Sequence, residues 1–267
     1  MKRISFYLFV LSMTTLCSAL HAQQPASFSW PSGKEVAISL TFDDARASQV
    51  EKGTALLDEY GVKATFYVLP GPVKEQLTGW KKAVASGHEI GNHSLNHPCS
   101  GNFPWARQKA LEEFSVADIR KELTESNKQI ESMLGVKPLV FAYPCGQKFV
   151  GRGLNTKSYV PVVAELFISG RGWRDEGPND PTFCDMAQIT GMELDGKTFE
   201  SILPLIESAR KNHQWIVFAG HEMNDSGEQT TRLETLRKLM EYAQDPANGV
   251  WVAPVGSVVK YIKERKP

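Results

Sequence analysis

Val36-Ala37-Ile38-Ser39-Leu40-Thr41-Phe42-Asp43-Asp44 carries two messages in nine residues. Apolar Val36, Ile38, Leu40 and Phe42 share one face of an extended strand, while Ala37, Ser39, Thr41 and Asp43 share the other. Asp43 and Asp44 would point to opposite faces of a continuing strand. Both reach one site only if the strand ends there and the chain turns, which aspartate tolerates. Working outward, apolar runs at 64–69, 89–92, 139–143, 166–169, 187–190, 215–219 and 250–253 read as further strands. Helical patterns fall between them at 48–60, 116–134, 199–211, 230–243 and 257–263. Repeated alternation predicts an α/β fold with parallel strands. Seven or eight such units in one domain predict a distorted or incomplete TIM-like (β/α) barrel. A doubly wound open sheet is the alternative, but no G-x-G-x-x-G follows the first strand.

Chemically capable residues sit where the predicted strands end: Asp43 and Asp44, His93, Cys145, Arg171 and His221. In α/β barrels those ends build the active site. His93 and His97 are four residues apart, a spacing that brings two imidazoles to one face of a helical turn and lets them chelate one ion. Adding a carboxylate gives two histidines and an aspartate, a catalytic ligand count that leaves room for water. Glu is missing after His93, so the H-E-x-x-H of zinc proteases is excluded. In Phe141-Ala142-Tyr143-Pro144-Cys145-Gly146, proline fixes the chain and glycine frees it again. Such a turn can aim a backbone N–H at an anion. The buried-strand pattern 216–219 delivers His221 at its end, a group suited to acid–base work near neutral pH. His88 and His213 lack such a setting and read as structural or surface residues.

The first 22 residues read as a secretory leader. Lys2 and Arg3 precede an uncharged, mostly apolar stretch, and Ala22 offers a small residue for cleavage, with Ala19 second. A lipid anchor on Cys17 is disfavoured by the bulky Leu16 before it. The expected mature chain is a single domain, 23–267, secreted or periplasmic, with no other segment able to span a membrane. Among 267 residues, 42% are hydrophobic and 22% charged, an ordinary globular balance that excludes disorder. Thirty basic residues against thirty acidic, with no basic stripe, exclude a partner bound by phosphate neutralisation, so nucleic acid is not expected. Three cysteines remain after the leader. An oxidising compartment permits one disulfide, read here as Cys99–Cys184, with Cys145 left unpaired because it belongs to the turn motif.

Together and in this order, these segments resemble the polysaccharide deacetylase family, carbohydrate esterase family four, over roughly 36–261. The family's T-F-D-D appears as Thr41–Asp44, its H-[ST]-x-x-H as His93–His97, and its late hydrophobic-x-H as Ala219-Gly220-His221. The resemblance implies a distorted (β/α) barrel, with Asp43 as general base and His221 as general acid. It implies Asp44, His93 and His97 as ligands of a divalent metal, zinc first, with cobalt or manganese as alternatives. The Cys145 N–H would be the oxyanion donor, with Tyr143 and Pro144 shaping the turn. The implied partner is an acetylated oligo- or polysaccharide. Its acetyl group sits on nitrogen in amino-sugar polymers or on oxygen in xylan. Ala142 departs from the pattern, standing where the family usually has the arginine that orients the base. Arg171 or Arg174 is expected to supply that charge, Asp195 or Asp175 to orient His221, and Trp173 and Trp105 to stack on sugar rings. A non-catalytic carbohydrate-binding protein on the same scaffold is the competing class.

Overall fold

The computed structural model describes residues 28–265; the leader read over 1–22 lies outside them. Eight strands form one sheet: β1 (Val36–Asp43), β2 (Thr65–Val68), β3 (Glu89–Asn92), β4 (Val140–Ala142), β5 (Ser169–Arg171), β6 (Met192–Glu193), β7 (Trp215–Gly220) and β8 (Val250–Val252). Their order is β5-β4-β3-β2-β1-β7-β6, and every pairing is parallel. One edge of β1 is shared. Val36–Ile38 pair with β8, and Thr41–Asp43 pair with β2. The outer strands β5 and β6 do not pair with each other, but residues 189–193 reach both. Ile189 exchanges hydrogen bonds with Gly170 and Gly172, and Met192 then pairs with Phe218. The sheet is therefore the distorted barrel that the strand–helix alternation implies.

The alternation in β1 sorts the molecule into an outside and an inside. Val36, Ile38, Leu40 and Phe42 join the larger core with Leu57, Phe66, Trp80, Ile206 and Leu239, from strands and surrounding helices. Ala37 packs inside with Tyr67, Ala142, Ile189, Trp215 and Val217. Polar groups on that inner face find partners: Ser39 Oγ donates to the Ala253 carbonyl at 2.8 Å, and Thr41 Oγ1 to the Phe218 carbonyl at 2.7 Å. All eight residues of β1 are buried, so Asp43 is held at the top of the interior.

Among the described residues, eight α-helices surround the sheet: α1 (Thr54–Glu59, entered through a π-helical turn, Gln49–Gly53), α2 (Pro70–Glu75), α3 (Leu77–Ala85), α4 (Val116–Leu134), α5 (Val160–Leu166), α6 (Phe199–Lys211), α7 (Leu233–Gln244) and α8 (Val255–Lys263). The boundaries of α4 follow from sequence chemistry. Ser115 and Asp118 cap its start reciprocally, and Gly135, at φ 70°, ends it in the left-handed conformation. α6 starts on a Thr198–Ser201 box. Two predicted strands shift. The run at 166–169 ends a helix, and its strand is Ser169–Arg171. The run at 187–190 contributes only the Ile189 bridge before β6 begins. The strand reaches through Gly170 to a charged residue because Arg171 finds a carboxylate inside, which no local pattern announces. Helices α2 and α3 escape the apolar-periodicity reading, although Pro70 at the first helical position is a start signal.

His88 is structural, as expected. Its side chain is fully buried, Nδ1 accepts the Ala64 N–H at 3.2 Å, and Nε2 lies 3.3 Å from Asp58. Burial holds its pKa down at about 4, against the pull of Asp58. The unfolded chain, titrating near 6.5, therefore takes up this proton first. The stability that neutral His88 contributes is complete above pH 6.5 and falls away as pH drops towards about 4, by roughly 2–3 kcal/mol. Urea unfolding of wild type and His88→Gln between pH 4 and 7.5 should show a steeper acid slope in wild type; parallel slopes would refute this.

Candidate active site

Parallel register brings the strand ends to one level. Asp43 pairs with Tyr67, Val68 with Asn92, Asn92 with Phe141, Ala142 with Arg171, and Phe42 with Gly220. Asp43, His93, Arg171 and His221 consequently surround one mouth. A cleft of about 620 Å³ opens there, lined by Asp43, Asp44, His93, His97, Cys145 and His221, among others.

The turn expected after Asp43 is present. Asp44 and Ala45 take φ values of 72° and 55°, which swings the Asp44 carboxylate to the same side as Asp43. Gln49 secures the turn by donating from Nε2 to the carbonyls of Asp43 (2.6 Å) and His221 (2.8 Å), joining the ends of β1 and β7. The two histidines converge by a different route from the one expected. Residues 93–97 form a loop, not a helical turn, with Ser94 at φ 68° and His97 at φ 53°. Side chains bond that loop: Asn92 Oδ1 accepts the Ser94 N–H at 2.6 Å, and Ser94 Oγ accepts the His97 N–H at 2.9 Å. Asn92 is anchored in turn to Asn127 of α4.

Asp44 Oδ1 lies 3.5 Å from His93 Nε2 and 3.6 Å from His97 Nε2. His93 Nδ1 is 2.9 Å from the Ala142 carbonyl, which can only accept, so the proton sits on Nδ1 and the Nε2 lone pair faces Asp44. Burial, reinforced by His93, holds the His97 pKa down at about 4, leaving that ring neutral at pH 7. Burial alone would raise the Asp44 pKa, but His93, His97, His221 and Arg46 outweigh it and keep the carboxyl below its ordinary value. Two imidazole nitrogens facing one carboxylate oxygen at these distances fit a divalent cation. Ligand atoms bound tetrahedrally at about 2.0–2.2 Å stand roughly 3.4 Å apart, close to the separations here.

Asp43 is 3% exposed and Arg171 is 0% exposed, and the Arg171 guanidinium pairs with Asp43 Oδ1 across the interior. A second nitrogen, Nη1, donates to the Gly172 carbonyl at 2.7 Å, and the guanidinium lies over the Tyr67 ring at 4.9 Å. Of the two arginines weighed against Ala142, Arg171 therefore meets Asp43. Arg174 is exposed and pairs with Glu193. Asp195 meets His221, with Oδ2 2.7 Å from Nδ1 and Oδ1 accepting the His221 N–H at 3.1 Å. Asp175 instead accepts the Gly191 N–H. Burial works against a charged His221, but the Asp195 bond, then Asp43 and Asp44, outweigh it and raise its pKa above 6.5.

Trp173 packs edge-on against His221, with centroids 4.9 Å apart, and Trp105, 63% exposed, lies 5.9 Å from His97. Tyr143 turns its hydroxyl inward to the Ala187 carbonyl at 2.8 Å, and Pro144 is buried in the turn. The expected cysteine pairing is wrong. The disulfide joins Cys99 to Cys145, and Cys184 lies outside it. Cys145 keeps its place in the turn, at φ 54°, while its side chain reaches the loop that follows His97. The turn motif uses backbone, so it leaves the sulfur available for pairing. Gln49 and Asn92, both essential to this geometry, carry no signal that a single sequence exposes.

Residues 22–158, just over half of the chain, match the family model described as polysaccharide deacetylase. A gellan lyase from Bacillus sp is 24% identical over 88% of this chain and 10% of its own length. A peptidoglycan-N-acetylglucosamine deacetylase from Bacillus cereus is 35% identical over 54% of this chain and 63% of its own. A family 4 acetyl xylan esterase from Clostridium thermocellum, solved with cobalt, shares the fold at a TM-score of 0.56 and 19% identity, over 86% of this chain and 93% of that one. The chain spans between a tenth and a third of the length of the first curated relatives it matches.

The Asp43–Arg171 pair yields a stability test. Arg171→Met strands a buried carboxylate and should cost about 3–5 kcal/mol, whereas Arg171→Met with Asp43→Leu should recover much of that loss. Urea denaturation of both variants reads this directly; a single variant as stable as wild type would contradict the buried pair.

Proposed function

Because the chain belongs to the polysaccharide deacetylase family, we propose that it is an enzyme that hydrolyses acetyl groups from a carbohydrate. A divalent ion would be held by Asp44, His93 and His97. One observation carries this reading: a ligand set, a candidate base and a candidate acid share one cleft, and base and acid each have a buried partner of their own. When bound, the ion supplies Lewis acidity to the acetyl carbonyl and makes a water easier to deprotonate. Zinc suits two imidazoles and a carboxylate; cobalt and manganese are the alternatives.

The protein's own residues divide the remaining work. With Oδ1 committed to Arg171, Asp43 presents Oδ2 to the cleft, 4.0 Å from His93 Nε2, where it accepts the proton of the attacking water. Arg171 thereby does the orienting that an arginine at position 142 would otherwise do. The Cys145 N–H donates to the carbonyl oxygen as it gains negative charge. His221 is held through Nδ1 by Asp195, so its proton on Nε2 is the one free to move. It passes to the departing nitrogen or oxygen as that bond to the carbonyl carbon breaks, releasing acetate. Trp173 packs on His221 and offers a wall to the substrate, and Trp105 offers an exposed ring for a sugar face.

N-acetyl amino-sugar glycans are the first substrate class in this reading, as in the name of the Bacillus cereus relative, and O-acetylated xylan is the second. Export to a periplasm or the medium completes the reading. The leader-like pattern read over 1–22 supports it, and so does a disulfide, a bond that persists in oxidising compartments.

Acetate release by the zinc-loaded protein from N-acetylglucosamine oligomers and from acetylated xylan tests the proposal; none from either would refute it for these substrates. His221→Ala should retain zinc, measured by calorimetry, and lose about 10²–10⁴-fold in turnover. Asp44→Ala should instead lose zinc. Near-normal turnover in His221→Ala would remove His221 from the acid role.

A further inference from the structure

His97 stands between two sets of donors. Its Nε2 faces Asp44 at 3.6 Å, and its Nδ1 lies 3.6 Å from the sulfur of Cys99. One ring nitrogen of His97 and the sulfurs of Cys99 and Cys145 all fall within 4.8 Å of one another, as do one ligand atom each from Asp44, His93 and His97. Two clusters of three donors thus share one imidazole. They differ in character. One offers nitrogen and oxygen, whereas the other, once its sulfurs are thiolates, is soft and draws zinc, cobalt or cadmium strongly. The disulfide closes the second cluster, because neither sulfur then has a thiolate charge to give.

We propose that reduction of Cys99–Cys145 opens a second divalent-metal site, formed by Cys99, Cys145 and His97, which competes with the Asp44–His93–His97 set for His97. The step needs a dithiol reductant. Its thiolate attacks the sulfur of Cys145, the partly exposed member that lines the cleft, while Cys99 is fully buried. The S–S bond breaks, the reductant leaves as its own disulfide, and its two electrons and two protons remain on Cys99 and Cys145 as thiols. Metal binding then releases both thiol protons. A neutral imidazole carries one lone pair, on one nitrogen. His97 can therefore serve the sulfur site through Nδ1 or the Asp44 site through Nε2, but as a neutral ring not both. Two thiolates and a histidine with an open position make a complete zinc ligand set. In the oxidised chain the bridge keeps His97 for the Asp44 set, so metal loading of the proposed catalytic centre follows the redox state of this pair.

The proposal rests on the proposed metal reading only for the competition, and cobalt spectroscopy separates the two. Metal-free full-length protein is titrated with Co²⁺ in the oxidised state and after dithiol reduction, with excess reductant removed anaerobically. Reduced wild type should develop sulfur-to-cobalt charge-transfer absorption that the oxidised protein lacks. Reduced Cys99→Ala/Cys145→Ala should lack it too, while still binding Co²⁺ as the oxidised wild type does. His97→Ala, reduced, should bind in the sulfur-coupled mode at least about tenfold more weakly. No charge-transfer absorption in reduced wild type overturns the proposal, and so does absorption that His97→Ala leaves unchanged in strength and midpoint. Oxidised protein that binds no Co²⁺ would instead overturn the Asp44–His93–His97 reading and leave the sulfur result to stand on its own.

Discussion

The buried pair of Asp43 and Arg171 is the constraint on which the candidate site depends. Asp43 ends the central strand, and Arg171 ends a strand four places away along the sheet, so their contact crosses the barrel interior. An ion pair removed from water becomes less costly as more of its remaining hydrogen-bonding capacity is met. Here one Arg171 nitrogen donates to the Gly172 carbonyl and Tyr67 offers its ring face, though Nε finds no partner. Curling of the sheet and burial of the pair require each other: a flat sheet would separate the charges, and an uncharged interior would leave the Asp43 carboxylate alone.

The rest of the site repeats this principle of a reactive group held by something that does not react. Asp195 holds His221, the Ala142 carbonyl fixes the tautomer of His93, and Asn92 and Ser94 hold the backbone that carries His97. Gln49 joins the ends of β1 and β7 through two carbonyls. Apart from Gln49, which starts the π-helical turn, each support comes from a strand end or from the residues just beyond one, so precision at the cleft follows largely from the register of the sheet. The Cys99–Cys145 bridge adds the one covalent tie among the described residues, between the loop after His97 and the turn that carries the candidate oxyanion donor.

Ala142 departs from the family motif, and in the proposed reading Arg171 supplies the charge that the motif's arginine would carry. Its position pairs in register with Arg171 on the neighbouring strand. Moving the guanidinium from one strand to the next keeps it inside the barrel and within reach of Asp43. Position 142 lacks the charge, while a guanidinium from the neighbouring strand pairs with Asp43.

The sequence by itself determined the barrel class, because alternation in β1 and repeated strand–helix units are local patterns that burial must respect. It indicated most strand ends and singled out Asp43, Asp44, His93, His97 and His221 as candidates, from strand-end placement, the spacing of the two histidines and the family resemblance. It narrowed the partners of Asp43 and His221 to two candidates each and went no further. Only the tertiary structure chose Arg171 over Arg174 and Asp195 over Asp175, because each choice turns on which side chain points towards its partner from the end of another strand. It also replaced a helical turn at 93–97 with a loop of positive φ angles, since side-chain bonds from Asn92 and Ser94 outweigh the spacing that suggested a helix. The cysteine pairing was decided the same way. Cys99 and Cys145 are brought together by loops at adjacent strand ends, β3 and β4, and sequence separation carries no record of that proximity.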